Sequence, residues 1–367
     1  MRTLIFTAHH QLQQSAAALA TACHAARRGY RTLLASSGPG HLIGHLLHQS
    51  LGARPLELEP NLAAMEIHPH EEVARRWEQV RPSLRSGLVA RLRDLGPDEL
   101  PAFPGIDAVA AMLVAERARQ SGRFDLLILD GPAPDALIRA LTLPDVLRWA
   151  VRLIFGLDRG PGKSRASQEQ AMIPAAILAP SATAPLQELR IELETQRARL
   201  ETESGARVRM VVLPPELRLP PLRSALTAFG LYGMASDEVI VNGSPDQVDD
   251  ESRHDFSHET SRARPLLRIG QLDLTPTDRD AWALRGAALY RDGDIFATEP
   301  PRPQSSERDM RLLIPFLDPK ALDIAVASEE VVVQLGQMRR HVLLPGLVDG
   351  GRLRARVEGE QLRLWVE

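Results

Sequence analysis

The chain has 367 residues with 44 Lys+Arg against 47 Asp+Glu, a net charge of −3, which excludes the basic surface of a nucleic-acid binder. A single cysteine, Cys23, excludes disulfides and zinc knuckles and is compatible with a reducing compartment. No apolar run approaches a membrane span, and the first residues enter a strand with no basic leader, so a cytoplasmic protein is expected.

In chain order, Thr3–Phe6 reads as a short buried strand, Ser15–Arg28 as a helix with an Ala/Leu face ended by Gly29, and Arg31–Ala35 as a second strand. Strand, loop, helix, strand at this spacing opens many nucleotide-binding α/β domains, whose loop carries G-x-x-x-x-G-K-[ST]. Set on that pattern, Ala8 and Gln13 replace the glycines, Gln14 replaces the lysine, and Ser15 remains. The glycines let backbone N–H groups approach phosphate, and the lysine supplies a charge. Loss of one charge-assisted hydrogen bond, about 1.5–3 kcal/mol, weakens binding roughly ten- to a hundredfold.

Further on, Phe124–Leu129 is an apolar strand ending in Asp130, where such proteins place an acid near the metal ion and attacking water. Arg207–Leu213 and Glu238–Val241 predict two more strands, the second ending at Asn242. Residues 143–174 predict a helical insert rich in large apolar side chains, and Arg190–Glu203 a charged helix. Gly243–Ala263 is acidic and predicts a mobile loop, and Glu299–Ser306 a Pro-rich linker. From residue 307 to 367, six short strands predict a small β-sandwich.

Taken in order, these segments resemble the ArsA-type anion-transporting ATPases, relatives of the ATPases that target tail-anchored membrane proteins. Glu66-Ile67 after Asn61-Leu62, Asp130 through Arg139, and Leu143–Trp149 resemble the family's second switch and following helix. Leu231-Tyr232-Gly233 leading to Val239–Asn242 resembles its adenine-side strand, and Pro265–Tyr290 its last strand and helix. The stretch around Met338–Pro345 resembles the α-crystallin-like (small heat-shock) domain fused to some members. The resemblance implies a doubly wound, mainly parallel P-loop NTPase-like α/β domain over 1–298 and an α-crystallin-like sandwich over 307–367.

Departures from the family pattern fall on its chemistry. His9 stands where an early lysine reaches the partner's nucleotide, and Gly38 where the first switch carries an aspartate. Ser15, Asp130 and Asn242, with His9 and Gln14 beside them, are the residual equivalents of the nucleotide site. The expectation is a pseudo-ATPase with no catalytic residue, no metal and no required cofactor: a dimeric, chaperone-like protein for hydrophobic clients. Trp149, Leu153, Ile154 and Phe155 are the candidate client groove, with packing onto the sheet or sandwich as the plain alternative. Two other readings stay open, a divergent ATPase that still takes Mg-ATP and a regulatory subunit of an active paralogue.

Two smaller signals carry less. Gly162-Lys163-Ser164 imitates the end of a phosphate loop but lacks the upstream glycine and strand. Eight of the eleven histidines fall in the first seventy residues. His41, His45 and His48 have helical spacing without a carboxylate at ligand spacing, which predicts solvated side chains. His9 and His10 are expected either to fill the vacated cradle or to form a pH-dependent anion site.

Overall fold

The computed structural model describes residues 1–38, 40–83, 94–100, 105–155, 191, 195, 206–257, 259–291, 293–296, 299, 302–306, 308–327, 330–344, 347 and 351–367. Eight strands form the main sheet: β1 (Arg2–Thr7), β2 (Thr32–Ser37), β3 (Leu56–Glu59), β4 (Leu62–Ile67), β5 (Leu126–Asp130), β6 (Ala206–Val212), β7 (Ser236–Asn242) and β8 (Leu266–Gly270). Their order is β3-β4-β2-β5-β1-β6-β7-β8, parallel except for the edge strand β3. Both faces are covered, which is why the inner strands read as continuous apolar runs. Leu4, Phe6 and Ile128 point to one core, and Ile5, Leu127 and Leu129 to the other.

The first core lies under α1 (Gln11–Arg27), α2 (Leu42–Leu46) and α8 (Arg279–Tyr290). The second lies under α3 (Pro69–Val80), α4 (Ile106–Ser121), α5 (Pro134–Phe155) and α6 (Pro220–Leu231). Alanines along α1 keep helix propensity high while leaving room for a close crossing with α8. Trp282 of α8 is fully buried there and donates its indole N–H to Leu46 O at 3.2 Å.

Across the crossing runs a buried polar bridge. Arg209 of β6, with no solvent exposure, donates to both carboxylate oxygens of Asp237 at 3.0 and 2.7 Å and to Tyr290 OH at 2.9 Å. Tyr290 OH lies 2.8 Å from Thr21 Oγ1 on α1, and Glu238 pairs with Arg268 of β8. Each buried charge thus meets an opposite one, as burial requires.

The C-terminal strands form two sheets. One has the order β14 (Leu353–Glu358), β15 (Gln361–Val366), β10 (Asp309–Leu313), β9 (Gln304–Ser305); the other is β11 (Leu322–Ala327), β12 (Glu330–Leu335), β13 (Met338–Leu343). Their shared core takes in Leu231 from the end of α6. The sandwich is docked on α6: Arg340 donates to Leu231 O at 2.7 Å, Tyr232 OH to Arg339 O at 2.9 Å, and Thr227 to Pro315 O at 2.8 Å.

Several expectations need correction. α1 begins at Gln11, four residues earlier than the Ala/Leu pattern suggested, with the side chains of Gln11, Gln13 and Gln14 bonded to Ser37, Asn242 and Asp130 outside the helix. The acidic stretch 243–263 contains α7 (Asp250–Asp255), capped by Asp249 and anchored by buried Val248 and Phe256. Within the Pro-rich segment, Gln304–Ser305 is already strand β9, paired with β10. Leu143 does not open a new element: α5 runs unbroken through Pro144 to Phe155, and residues 156–174 of the insert lie outside the described residues. Gly162-Lys163-Ser164 and, apart from Ile191 and Thr195, the charged segment 190–203 also lie outside them. Strands β3 and β4 carry too few β-branched residues to be read from periodicity. No helix among the described residues is long and apolar enough to cross a membrane.

The α1–α8 crossing yields a direct test. A Cβ on Gly286 would lie 2.1 Å from Ala20 O and 2.7 Å from His24 Cβ. Gly286→Ala should therefore lose about 1–3 kcal/mol in urea unfolding despite the roughly 1 kcal/mol propensity advantage of alanine. Gly52→Ala, with nothing within 4 Å of the added carbon, should leave the midpoint unchanged.

Candidate functional site: a phosphate-loop position filled by glutamines

The carboxyl ends of β2, β5 and β1 meet the start of α1, the place where doubly wound sheets bind ligands. Asp130 closes β5 with no solvent exposure. Its Oδ1 accepts from Gln14 Nε2 at 2.6 Å, and its Oδ2 accepts from Ser15 Oγ and Ser36 Oγ, both at 2.7 Å. Gln14 Nε2 also donates to Gly131 O at 2.6 Å, which uses both amide hydrogens. The side chain at the lysine position is thus turned inward and spent on the protein.

The neighbouring glutamines do the same. Gln13, at the second glycine position, accepts from Asn242 Nδ2, while Asn242 Oδ1 accepts from Leu272 N at 2.7 Å. Gln11 Nε2 donates to Ser37 O at 3.3 Å. Gly38 has a φ of 139°, which L side chains rarely adopt, and a Cβ there would fall 2.0 Å from Gln11 Nε2. The glycine in place of the first-switch aspartate is therefore fixed by backbone conformation and by its glutamine neighbour together.

Among the residual equivalents, Ser15, Gln14 and Asp130 come together, and Asn242 joins through Gln13. His9 and His10 do not fill the cradle: both are exposed, and His10 Nε2 lies 3.7 Å from Glu216. Trp149, Leu153, Ile154 and Phe155 lie in α5, but their side chains are outside the described residues. The sequence pattern places Gln13 and Gln14 only as replacements for a glycine and the lysine, and it gives no role to Ser36, Ser37 or Gln11. His41, His45 and His48 do not share a helix face, since α2 spans only Leu42–Leu46 and both His41 and His48 have positive φ. Burial pushes the Cys23 thiol up to about 12, so it stays protonated and is no soft-metal thiolate.

Sheet and site together define an α/β protein of the P-loop class whose phosphate loop is occupied by its own side chains. The sequence pattern of the anion-transporting ATPases matches residues 1–264, and that of the HSP20-like domain found in ArsA matches residues 305–364. The chain belongs to the anion-transporting ATPase (ArsA) family. It is 25% identical over 371 residues to a putative arsenical pump-driving ATPase of Chlorobaculum tepidum, covering 95% of this chain and 92% of that one. A second, putative arsenical pump-driving ATPase 1 of Aquifex aeolicus, is 22% identical over the full length of both. An ATPase ASNA1 homolog of Paramecium tetraurelia is 25% identical over 151 residues, 40% of this chain and 44% of that one.

Burial raises the Asp130 carboxyl to about 6, against the opposing pull of hydrogen bonds from Ser36, Ser15 and Gln14. The folded state therefore holds this proton more tightly than the unfolded state. The contribution is fully present below about pH 4 and is lost as pH rises to about 6, a swing of roughly 3 kcal/mol. Asp130→Asn keeps an acceptor for Gln14 and removes the titration. Its Tm relative to wild type should rise between pH 4.5 and 7.5; a pH-independent difference would contradict a buried, perturbed carboxyl.

Proposed function

We propose that this chain is a non-hydrolysing member of its family, a homodimeric, chaperone-like protein for hydrophobic clients. The observation that carries the first half is the Gln14 amide, bonded to Asp130 and Gly131 where the family's lysine would meet phosphate. The residues present do not fit Mg-nucleotide of the usual kind. Cβ atoms of Ala8 and Gln13 stand at the two glycine positions, and no lysine or first-switch acid supplies charge to a transferring phosphoryl group.

Support for the second half is more general. An apolar cavity of about 70 Å³ lies between β1, α4 and α5, lined by Ile5, Met112, Leu129, Leu137 and Leu141. Val146, farther along α5, is 53% exposed. An apolar client would gain burial on such a helix. The divergent-ATPase reading is favoured by one contact: Ser15 and Asp130, the residual magnesium pair, remain 2.7 Å apart.

Isothermal titration with Mg-ATP and Mg-ADP, with a phosphate-release assay, separates the two. No heat at millimolar nucleotide and no release above buffer is expected; micromolar binding would overturn the proposal. Gln14→Lys alone should not restore turnover, because Ala8, Gln13 and Gly38 remain. Light scattering of the purified chain should give the mass of a dimer that retains a transmembrane-segment peptide.

A further inference from the structure

Beside the filled loop, at the carboxyl ends of β2 and β4, two cavities share a wall made by His41 and His68. One, about 510 Å³, adds His45, Gln49 and Glu66; the other, about 570 Å³, adds His70, Glu71 and Asp107. Among the described residues neither is lined by a lysine or arginine, and three carboxylates and four imidazoles face the two cavities. That composition favours a cation over an anion.

The two central imidazoles are prepared alike. His41 Nδ1 contacts Glu66, which is only 5% exposed, and His68 Nδ1 lies 2.8 Å from Glu71 Oε1. A carboxylate on Nδ1 fixes the proton there and leaves the Nε2 lone pair free to accept, the arrangement behind metal-bound histidines. His68 Nε2 is buried and has no hydrogen-bond partner, a condition that calls for an ion or water. The rings stand 6.4 Å apart at 67°. Two imidazoles on one tetrahedral zinc, at Zn–N of about 2.1 Å, place their centroids roughly 5 Å apart. His41 also holds a left-handed φ of 45°, a conformation that clusters at ligand sites in non-glycine residues.

We propose that His41 and His68, oriented by Glu66 and Glu71, form an open site for a borderline divalent cation such as zinc. Among the described residues no three donors already surround one point, so the cation keeps positions for water or a further ligand. The site is independent of nucleotide and of the filled loop, and it uses no thiolate.

The test is zinc titration of the full, metal-stripped chain against a chromophoric chelator. A 1:1 complex is expected, weakened at least tenfold by His41→Ala and by His68→Ala. Glu66→Gln should weaken it about tenfold through the lost Nδ1 acceptor, and His254→Ala, distant on α7, should leave it unchanged. Because a variant can fail through misfolding, the wild type supplies a second readout. Zinc should protect the exposed His41, but not His254, from diethyl pyrocarbonate, as read by mass spectrometry. No binding, or binding with His41 still modified at the zinc-free rate, overturns the proposal.

Discussion

A carboxylate without water is the constraint around which this molecule is arranged. Asp130 ends the central strand with no solvent exposure and is met by donors from α1 and β2. A buried charge must be paired or hydrogen-bonded, and where neither suffices it takes up a proton. Here three neutral donors share the work. They join the ends of β5 and β2 to the first turn of α1, so the polar contacts of the site also hold three elements of the scaffold together. The groups of the site thus also contribute cohesion to the scaffold.

At the opposite end of the sheet the logic differs. Arg209, Asp237, Glu238 and Arg268 are compensated by opposite charge, with Tyr290 and Thr21 extending the network to α8 and α1. Asp237 pairs with both Arg207 and Arg209, and Glu238 with both Arg209 and Arg268, so each buried acid meets two guanidinium groups. α1 is therefore held by polar contacts at its first turn and at Thr21 near its middle, and along its length by small-residue packing. The C-terminal sandwich, seated on α6 through Leu231, Tyr232 and Arg340, extends this scaffold and buries the end of that helix.

Much of this fold was legible in the sequence because parallel strands covered on both faces leave continuous apolar runs such as FDLLIL and RVRMVV. The C-terminal strands were legible for the opposite reason, their alternation and turn residues. Leu62–Ile67 was not, since LAAMEI suits helix or strand equally and is settled only by its neighbours β2 and β3. The candidate site was half legible. Ser15, Asp130 and Asn242 follow from spacing, but the destinations of Gln11, Gln13 and Gln14 do not, because an amide's partner is chosen by tertiary geometry. The pairing of His41 with Glu66 spans 25 residues and two strands, beyond any local pattern.

The contact between Gln11 and Gly38 carries one more implication. An aspartate at position 38 would need a different backbone conformation and a displaced glutamine, while a lysine at position 14 would have to take over the amide's place beside Asp130. Position 38 is thus matched to Gln11, and position 14 to Asp130. The loop acts as a joint that ties α1 to β2 and β5.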